Sequence, residues 1–103
     1  MYEDEKICAA QEYLFKAYKF HLDGKIEEAI KSYSESIIIY PTPEAYIFLG
    51  WAFSMRGEYE DAISQCIEAI KLDSDYGNAY NDVGSYLICL KRFDEALPWQ
   101  RRI

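Results

Sequence analysis

The chain has 103 residues, and half of them are apolar, so it can form the core of one compact domain. Its formal charge of −7 argues against nucleic-acid binding, because that function needs a patch of lysine and arginine side chains. No apolar stretch approaches the roughly 20 residues that cross a bilayer, and the acidic residues 3–5 do not resemble a signal peptide. We therefore expect a cytoplasmic protein that does not contact a membrane.

The first predicted unit covers approximately residues 10–42 and contains two amphipathic helices. Apolar side chains recur every three or four residues on both sides of a polar break at Gly24. Glycine adopts positive φ without steric cost, so Gly24 can end one helix and reverse the chain. The pair Glu27 and Glu28 follows, where negative charge favours the start of a helix.

The second predicted unit covers approximately residues 43–76 and repeats this pattern, with Gly57 at the break. Gly50 in its first helix is expected to face Ala62 in its second, so that the two helix axes can approach closely. A larger side chain at either position would separate the helices, and Ala62→Leu should cost about 1 to 3 kcal/mol by overpacking.

The third predicted unit, residues 77–103, is incomplete. Lys91 stands where the other units have glycine, which predicts a strained or a different turn. The last helix, expected from about Phe93 to Ile103, contains Pro98 and leaves Leu97, Trp99 and Ile103 without a covering helix. Either the chain is part of a longer repeat array, or its uncapped C-terminal helix pairs with another copy in a homodimer.

Small and aromatic residues recur at the same place in each unit, with steps of 33 and then 34 residues. The small residues form two columns, Ala17, Gly50 and Gly84, and Ala29, Ala62 and Ala96. A period of this length is typical of stacked helical repeats.

The repeats resemble those of the tetratricopeptide repeat family, whose unit has a Leu-Gly pair and an aromatic in its first helix and an Ala in its second. The second unit resembles this signature most, with Tyr46, Leu49, Gly50, Phe53, Gly57, Tyr59, Ala62 and Ala69. Two departures are Ser74 where the family usually has Pro, and Lys16 where the first unit should have Leu. The resemblance implies an all-α, right-handed superhelical solenoid of antiparallel helix-turn-helix repeats, about three in number.

The resemblance also implies a function, which is binding of a protein partner's peptide or helix in a concave groove formed by the first helix of each unit. By helical spacing the predicted groove residues are Leu14, Tyr18 and His21, then Ile47, Trp51 and Ser54, then Asn78, Asn81 and Ser85. Trp51 could instead be covered by a helical extension at residues 3–12 or by a neighbouring repeat. Two alternatives remain open: a dedicated chaperone-like or regulatory subunit that masks an apolar segment of one client, and a self-associating repeat fragment.

Family members that bind the C-terminal carboxylate of chaperones use Lys, Arg and Asn side chains at set places in this groove. The corresponding places here hold Leu14, Tyr18, Phe48, Asn78 and Asp82. The basic side chains are missing, which predicts that the chain is not a receptor for chaperone tails.

Residues that could support catalysis or metal binding are few. His21 is the single histidine, and Cys8, Cys66 and Cys89 have spacings that fit neither a metal site nor a redox motif. Cys66 falls in an apolar stripe and is expected in the core. We therefore expect no enzymatic activity, no catalytic residue, no metal site and no cofactor.

Overall fold

A computed structural model describes residues 2–101 and shows six helices and no strand within that range. They are α1 (Glu3–Leu22), α2 (Ile26–Ile39), α3 (Pro43–Met55), α4 (Tyr59–Leu72), α5 (Gly77–Cys89) and α6 (Phe93–Arg101). None of these six helices is both long enough and apolar enough to cross a membrane.

The helices form three antiparallel hairpins that stack in chain order. Each helix packs against the one that follows it, and the result is an elongated molecule of 45 × 29 × 16 Å. The hairpins themselves pack through α2 against α3 and through α4 against α5. The predicted fold class, an all-α solenoid of helical hairpins, is therefore confirmed.

One hydrogen-bonding pattern ends the first helix of every hairpin. The amide of Lys25 donates to the Phe20 carbonyl at 2.8 Å, and the amides of Glu58 and Arg92 make the equivalent bonds at 3.0 and 2.8 Å. Each bond closes a turn around a residue with positive φ, which is Gly24, Gly57 or Lys91. Lys91 adopts φ 62°, so the third unit keeps the same turn and places a side chain in a region that glycine prefers.

The two columns of small residues lie where helices approach each other. A Cβ atom added to Gly50 would lie 3.0 Å from the carbonyl oxygen of Ala62, as the sequence predicts. A Cβ added to Gly84 would lie 2.5 Å from Cγ of Gln100. Ala62 itself is completely buried.

Two apolar clusters form the core. The first joins α1, α2 and α3 around Ala17, Tyr33 and Leu49. The second joins α4, α5 and α6 around Cys66 and Val83. Cys66 is completely buried, and burial raises the pKa of its thiol to about 12, so it is a core residue as predicted.

Helix α1 is one continuous helix, and its N-terminal part lies along α2. The hydroxyl of Ser36 donates to the carbonyl of Ala10 at 2.7 Å, and the hydroxyl of Tyr40 donates to Glu3 at 3.0 Å. The extension at residues 3–12 is thus held on α2 and does not fold back over Trp51. That alternative was wrong, because the helix has no break that would let it turn.

At the other end of the molecule, two apolar residues of α6 that were predicted to be uncovered differ in exposure. Leu97 is 50% exposed, as expected for an uncapped helix. Trp99 instead packs on Tyr80, with 6.0 Å between ring centroids, so its predicted exposure was wrong. Ile103 lies outside the described residues, and pairing of the C-terminal helices in a homodimer stays a prediction.

Candidate functional site: the groove formed by the first helices

The first helices of the first two hairpins share one aromatic surface. Tyr18 of α1 and Phe48 of α3 have ring centroids 5.6 Å apart, and His21 and Trp51 have theirs 4.3 Å apart. Phe48 also lies 6.3 Å from Trp51. These contacts place Tyr18 and Trp51 on neighbouring helices along one continuous strip.

We define the groove face as the side of α1, α3 and α5 that carries this strip and its continuation by helical spacing. Its members are Gln11, Leu14, Phe15, Tyr18 and Leu22, then Glu44, Ile47, Phe48, Trp51 and Met55, then Asn78, Asn81, Asp82, Ser85 and Ile88. This face changes character along the molecule, since it is aromatic on α1 and α3 and mostly polar on α5.

Trp51 and Tyr18 are packed on one side and open to solvent on the other. Trp51 is 42% exposed and Tyr18 is 37% exposed, although both make aromatic contacts. Aromatic rings held in place and partly exposed bind partners at a small entropic cost, because their conformation is already fixed. Both predicted residues are therefore fixed by packing and accessible from solvent.

A cavity of 280 Å³ opens beside the aromatic strip, between α1 and α3. It is lined by Leu14, Phe15, Tyr18, Glu44 and Phe48. Phe15 is 68% exposed, and sequence reasoning did not include it in the groove. Its position three residues before Tyr18 on the same helix was the signal that could have identified it.

His21 was predicted to line the groove, but it is 4% exposed and lies beneath the strip. Its Nε2 atom lies 2.9 Å from Sδ of Met55, and its Nδ1 atom lies 2.9 Å from the Tyr33 hydroxyl. A thioether sulfur only accepts, so Nε2 donates to Met55 and Nδ1 accepts from Tyr33. Burial lowers the pKa of His21, which is consistent with a neutral imidazole that supports Trp51 from below.

The other predicted residues continue the surface towards α5. Ile47 is half-buried and packs against the second core cluster, and the half-buried Ser54 donates to the carbonyl of Trp51 at 2.6 Å. Asn78, Asn81 and Ser85 are exposed on α5. The apolar residues of the predicted site thus lie on α1 and α3, whereas Asn78, Asn81 and Ser85 lie on α5, the last helix of the groove.

Two carboxylates belong to the groove face. Glu44 is exposed on the edge of the cavity, and Asp82 is half-buried on α5. Both lie close enough to the hydroxyl of Tyr76 to raise its pKa, although burial of Tyr76 is the larger cause. Burial also raises the pKa of Asp82, because its surroundings favour the uncharged form.

A second cavity, of 410 Å³, lies between α1 and α2 and does not contain the predicted groove residues. It is lined by Tyr13, Lys16, Phe20, Glu28, Lys31, Ser32 and Glu35. Its lysines and glutamates have both signs of charge, and its shape follows from the gap between two packed helices. Within residues 2–101, no group of three or more His, Cys, Asp or Glu side chains is arranged to hold a metal ion.

Comparison with known proteins identifies the repeat. The sequence profile of the tetratricopeptide repeat family matches residues 43–76, which is the second unit. No curated protein matches the chain by sequence. Solved structures do match, and they share the fold.

The second tetratricopeptide repeat domain of Spaghetti (RPAP3), bound to the HSP90 peptide SRMEEVD, is 26% identical with a TM-score of 0.82, covering 87% of this chain and 84% of that one. The first such domain of the same protein, bound to the same peptide, is 26% identical with a TM-score of 0.86. The match covers 90% of this chain and 75% of that one. The tetratricopeptide repeat domain of Arabidopsis OM64 is 21% identical with a TM-score of 0.89. The match covers 94% of this chain and 81% of that one. The hairpins, the turns and these similarities lead to one conclusion: residues 43–76 are a tetratricopeptide repeat, and the chain has the fold of tetratricopeptide repeat domains.

Proposed function

We propose that the chain is a non-catalytic interaction module that binds a peptide or helix of a protein partner on its groove face. The observation that carries this proposal is the aromatic strip, in which Tyr18 and Trp51 are fixed by packing and still partly exposed. A contiguous apolar surface of this kind marks a binding site more often than chance exposure does. The cavity beside it offers room for one apolar anchor side chain.

The similar structures support peptide binding in general, because both Spaghetti domains are bound to an HSP90 peptide. They do not suggest the same ligand here. Recognition of a free carboxylate needs charge-assisted donors, and the corresponding places in this chain hold Leu14, Phe48 and Asp82 among others. The proposed ligand is therefore anchored by apolar side chains within a segment, not by a chain terminus.

The proposal is tested by selecting peptides from a random display library on the purified protein and measuring their affinities by fluorescence anisotropy. Trp51→Ala should weaken the selected peptides about tenfold or more, since central aromatic residues contribute most to binding. Phe93→Ala is the matched control, because Phe93 is 57% exposed but lies on α6, outside the groove face. Equal losses in both variants, or none in Trp51→Ala, would refute the groove as the binding site.

A second function is a dedicated chaperone-like subunit that masks an apolar segment of one client. The exposed apolar side chains of Phe15, Leu22 and Met55 extend the strip and favour a larger covered area than a short peptide needs. A dedicated subunit should co-purify with its client at fixed stoichiometry and resist washing. An exchangeable interaction module should instead release its partners within minutes during gel filtration.

A further inference from the structure

The charges of the groove face are all of one sign. Its two carboxylates, Glu44 and Asp82, are accompanied by no lysine or arginine on the face as defined. The same face carries Tyr18 and Trp51, so apolar and acidic groups lie side by side. From this combination we propose that the groove selects segments that join an apolar anchor to lysine or arginine, and that it disfavours acidic tails.

This inference rests on the proposed function, because it names the class of peptide that the groove face binds. Asp82 is its strongest support. The carboxylate is half-buried, and among the side chains of residues 2–100 it has no basic partner within ion-pair distance. A partly desolvated carboxylate without a partner is stabilised when a ligand supplies a cation.

Two arginines of the described part of the chain, Arg56 and Arg92, are engaged outside the groove face. Arg56 pairs with Glu58, and with Glu27 at 3.2 Å, close to the turn between α3 and α4. Arg92 occupies the equivalent place in the third unit, where it pairs with Glu95 at 2.7 Å. Both side chains lie at the hairpin turns and brace the helices there.

Lysines near the groove are also absent from its face. Lys16 and Lys31 line the other cavity, between α1 and α2, together with two glutamates. The groove face as defined therefore has two carboxylates and no basic side chain to compensate them.

The arrangement of the two acids suggests how a ligand would lie. Glu44 is part of the wall of the cavity that would take the apolar anchor, so a basic residue next to the anchor would reach it. Asp82 lies on α5, the next helix of the groove. Both carboxylates are near the hydroxyl of Tyr76, since the charge of each raises the pKa of Tyr76. Lysine and arginine stems also pack on aromatic rings such as Tyr18 and Trp51, which adds cation–π attraction.

The test uses two peptides whose termini are blocked by acetylation and amidation. Both contain a Leu-x-x-Phe anchor, and the remaining residues are lysine in one peptide and glutamate in the other. A third probe is the HSP90 peptide SRMEEVD. Anisotropy titrations with the full chain should give an affinity for the lysine peptide about tenfold above that for the glutamate peptide. The preference should shrink as the salt concentration is raised from about 0.05 to 0.5 M, because salt screens charges.

Variants assign the preference to the two acids. Asp82→Asn and Glu44→Gln should each weaken the lysine peptide several-fold and leave the glutamate peptide unchanged or slightly tighter. Asp61→Asn is the matched control, because Asp61 is an exposed acid at the start of α4, outside the groove face, and its loss changes net charge equally.

The outcomes separate this inference from the proposal beneath it. If both designed peptides bind equally and Trp51→Ala abolishes both, the groove binds apolar anchors and the charge preference is refuted. If SRMEEVD binds as tightly as the lysine peptide, the inference is also overturned. If no peptide binds to the folded chain, both the inference and the proposed function fail. An equal loss of affinity in Asp61→Asn would show a net-charge effect and refute the assignment to the groove.

Discussion

The indole ring of Trp51 lies against the imidazole of His21, with 4.3 Å between ring centroids and 46° between ring planes. His21 belongs to the first hairpin and Trp51 to the second, so the pair joins two repeats. Beneath Trp51, the imidazole is held by Tyr33 and Met55. One side of the indole is therefore part of the repeat interface, and the rest is open to solvent, where the proposed ligand would bind.

Trp51→Ala separates these two roles. The indole is 42% exposed, so its removal should cost about 1 to 2 kcal/mol of stability, less than the loss of a fully buried aromatic ring. Thermal unfolding followed by circular dichroism measures this, with a decrease of about 4 to 8 °C per kcal/mol for a domain of this size.

Leu49→Ala provides the comparison, because Leu49 is a buried member of the first core cluster in the same helix. It should cost about 2 to 5 kcal/mol, mostly through the cavity left behind. A loss in Trp51→Ala as large as the loss in Leu49→Ala would mean that the indole serves the core, and the groove would lose its central residue.

The pH dependence of stability should report the burial of His21. Burial lowers its pKa in the folded state, so the unfolded chain binds more protons below the ordinary histidine value near 6.5. The free energy of unfolding is then fully retained above pH of about 6.5 and falls as the pH decreases through that value. Urea unfolding at several pH values between about 5 and 8 measures the slope.

His21→Gln should be less stable than the wild type at pH of about 7.5 and should show a smaller decrease towards pH of about 5.5. The carboxylates are common to both proteins, so the difference in slope belongs to the histidine. Parallel slopes in the two proteins would contradict a shifted histidine pKa.

Local signals were sufficient to predict most of the fold. Helical spacing predicted the hairpins, and the glycines at 24 and 57 predicted the turns, because only a few residue types tolerate positive φ. The contact of Gly50 with Ala62 also followed from the sequence, since small residues at a fixed period indicate close helix approach.

The groove was only partly predictable, because its details depend on contacts between distant residues. His21 is buried through Tyr33 and Met55, which lie 12 and 34 residues away along the chain. Helical spacing places a residue on a face of its own helix, but it does not say how deeply the neighbouring hairpin covers that face. Phe15 was missed for the same reason, since its role depends on a cavity formed with Phe48.

Two glycines at the same place in successive units should respond differently to alanine. In Gly50→Ala the new Cβ would meet a backbone oxygen at 3.0 Å, which moves only if α4 moves. In Gly84→Ala it would meet the side chain of Gln100, which can adopt another rotamer. We expect Gly50→Ala to cost about 1 to 3 kcal/mol, and Gly84→Ala to be nearly neutral because alanine favours the helix.

Chemical denaturation of both variants beside the wild type checks this difference. The order of the two effects is the test, because both substitutions add the same methyl group to a first helix. Gly84→Ala being the more destabilising of the two would contradict the assignment of rigid and movable neighbours.

Lys91→Gly should stabilise the third hairpin. Lys91 has φ 62°, a conformation that lowers the stability of the fold by roughly 1 to 2 kcal/mol when the residue has a side chain. Glycine avoids this loss, but part of the gain is offset because glycine loses more backbone entropy on folding. We expect a net gain of about 0.5 kcal/mol, measured as a higher midpoint in urea. Gly57→Ala, at φ 77° in the equivalent turn, should lose about 1 kcal/mol. A less stable Lys91→Gly variant would show that the lysine side chain stabilises the fold by more than the strain of its positive φ destabilises it.

Asp82→Asn should make the chain more stable and a weaker binder at the same time. Burial raises the pKa of Asp82, so the folded state binds protons more readily than the unfolded state, and the charged form costs stability at neutral pH. Asparagine has the same shape without the charge. The midpoint of thermal unfolding should therefore rise at pH of about 7, and the gain should disappear near pH 3, where the wild-type carboxylate is protonated.

The same variant should bind the lysine peptide several-fold more weakly. Replacing a residue that stabilises the fold makes the protein less stable. A residue that is kept for binding often lowers the stability of the protein, so its replacement can raise that stability. A less stable Asp82→Asn would show instead that the carboxylate has a structural partner. Increased stability together with weaker binding of the lysine peptide would mark Asp82 as a residue whose role lies in recognition, since nothing within the fold would then need its charge.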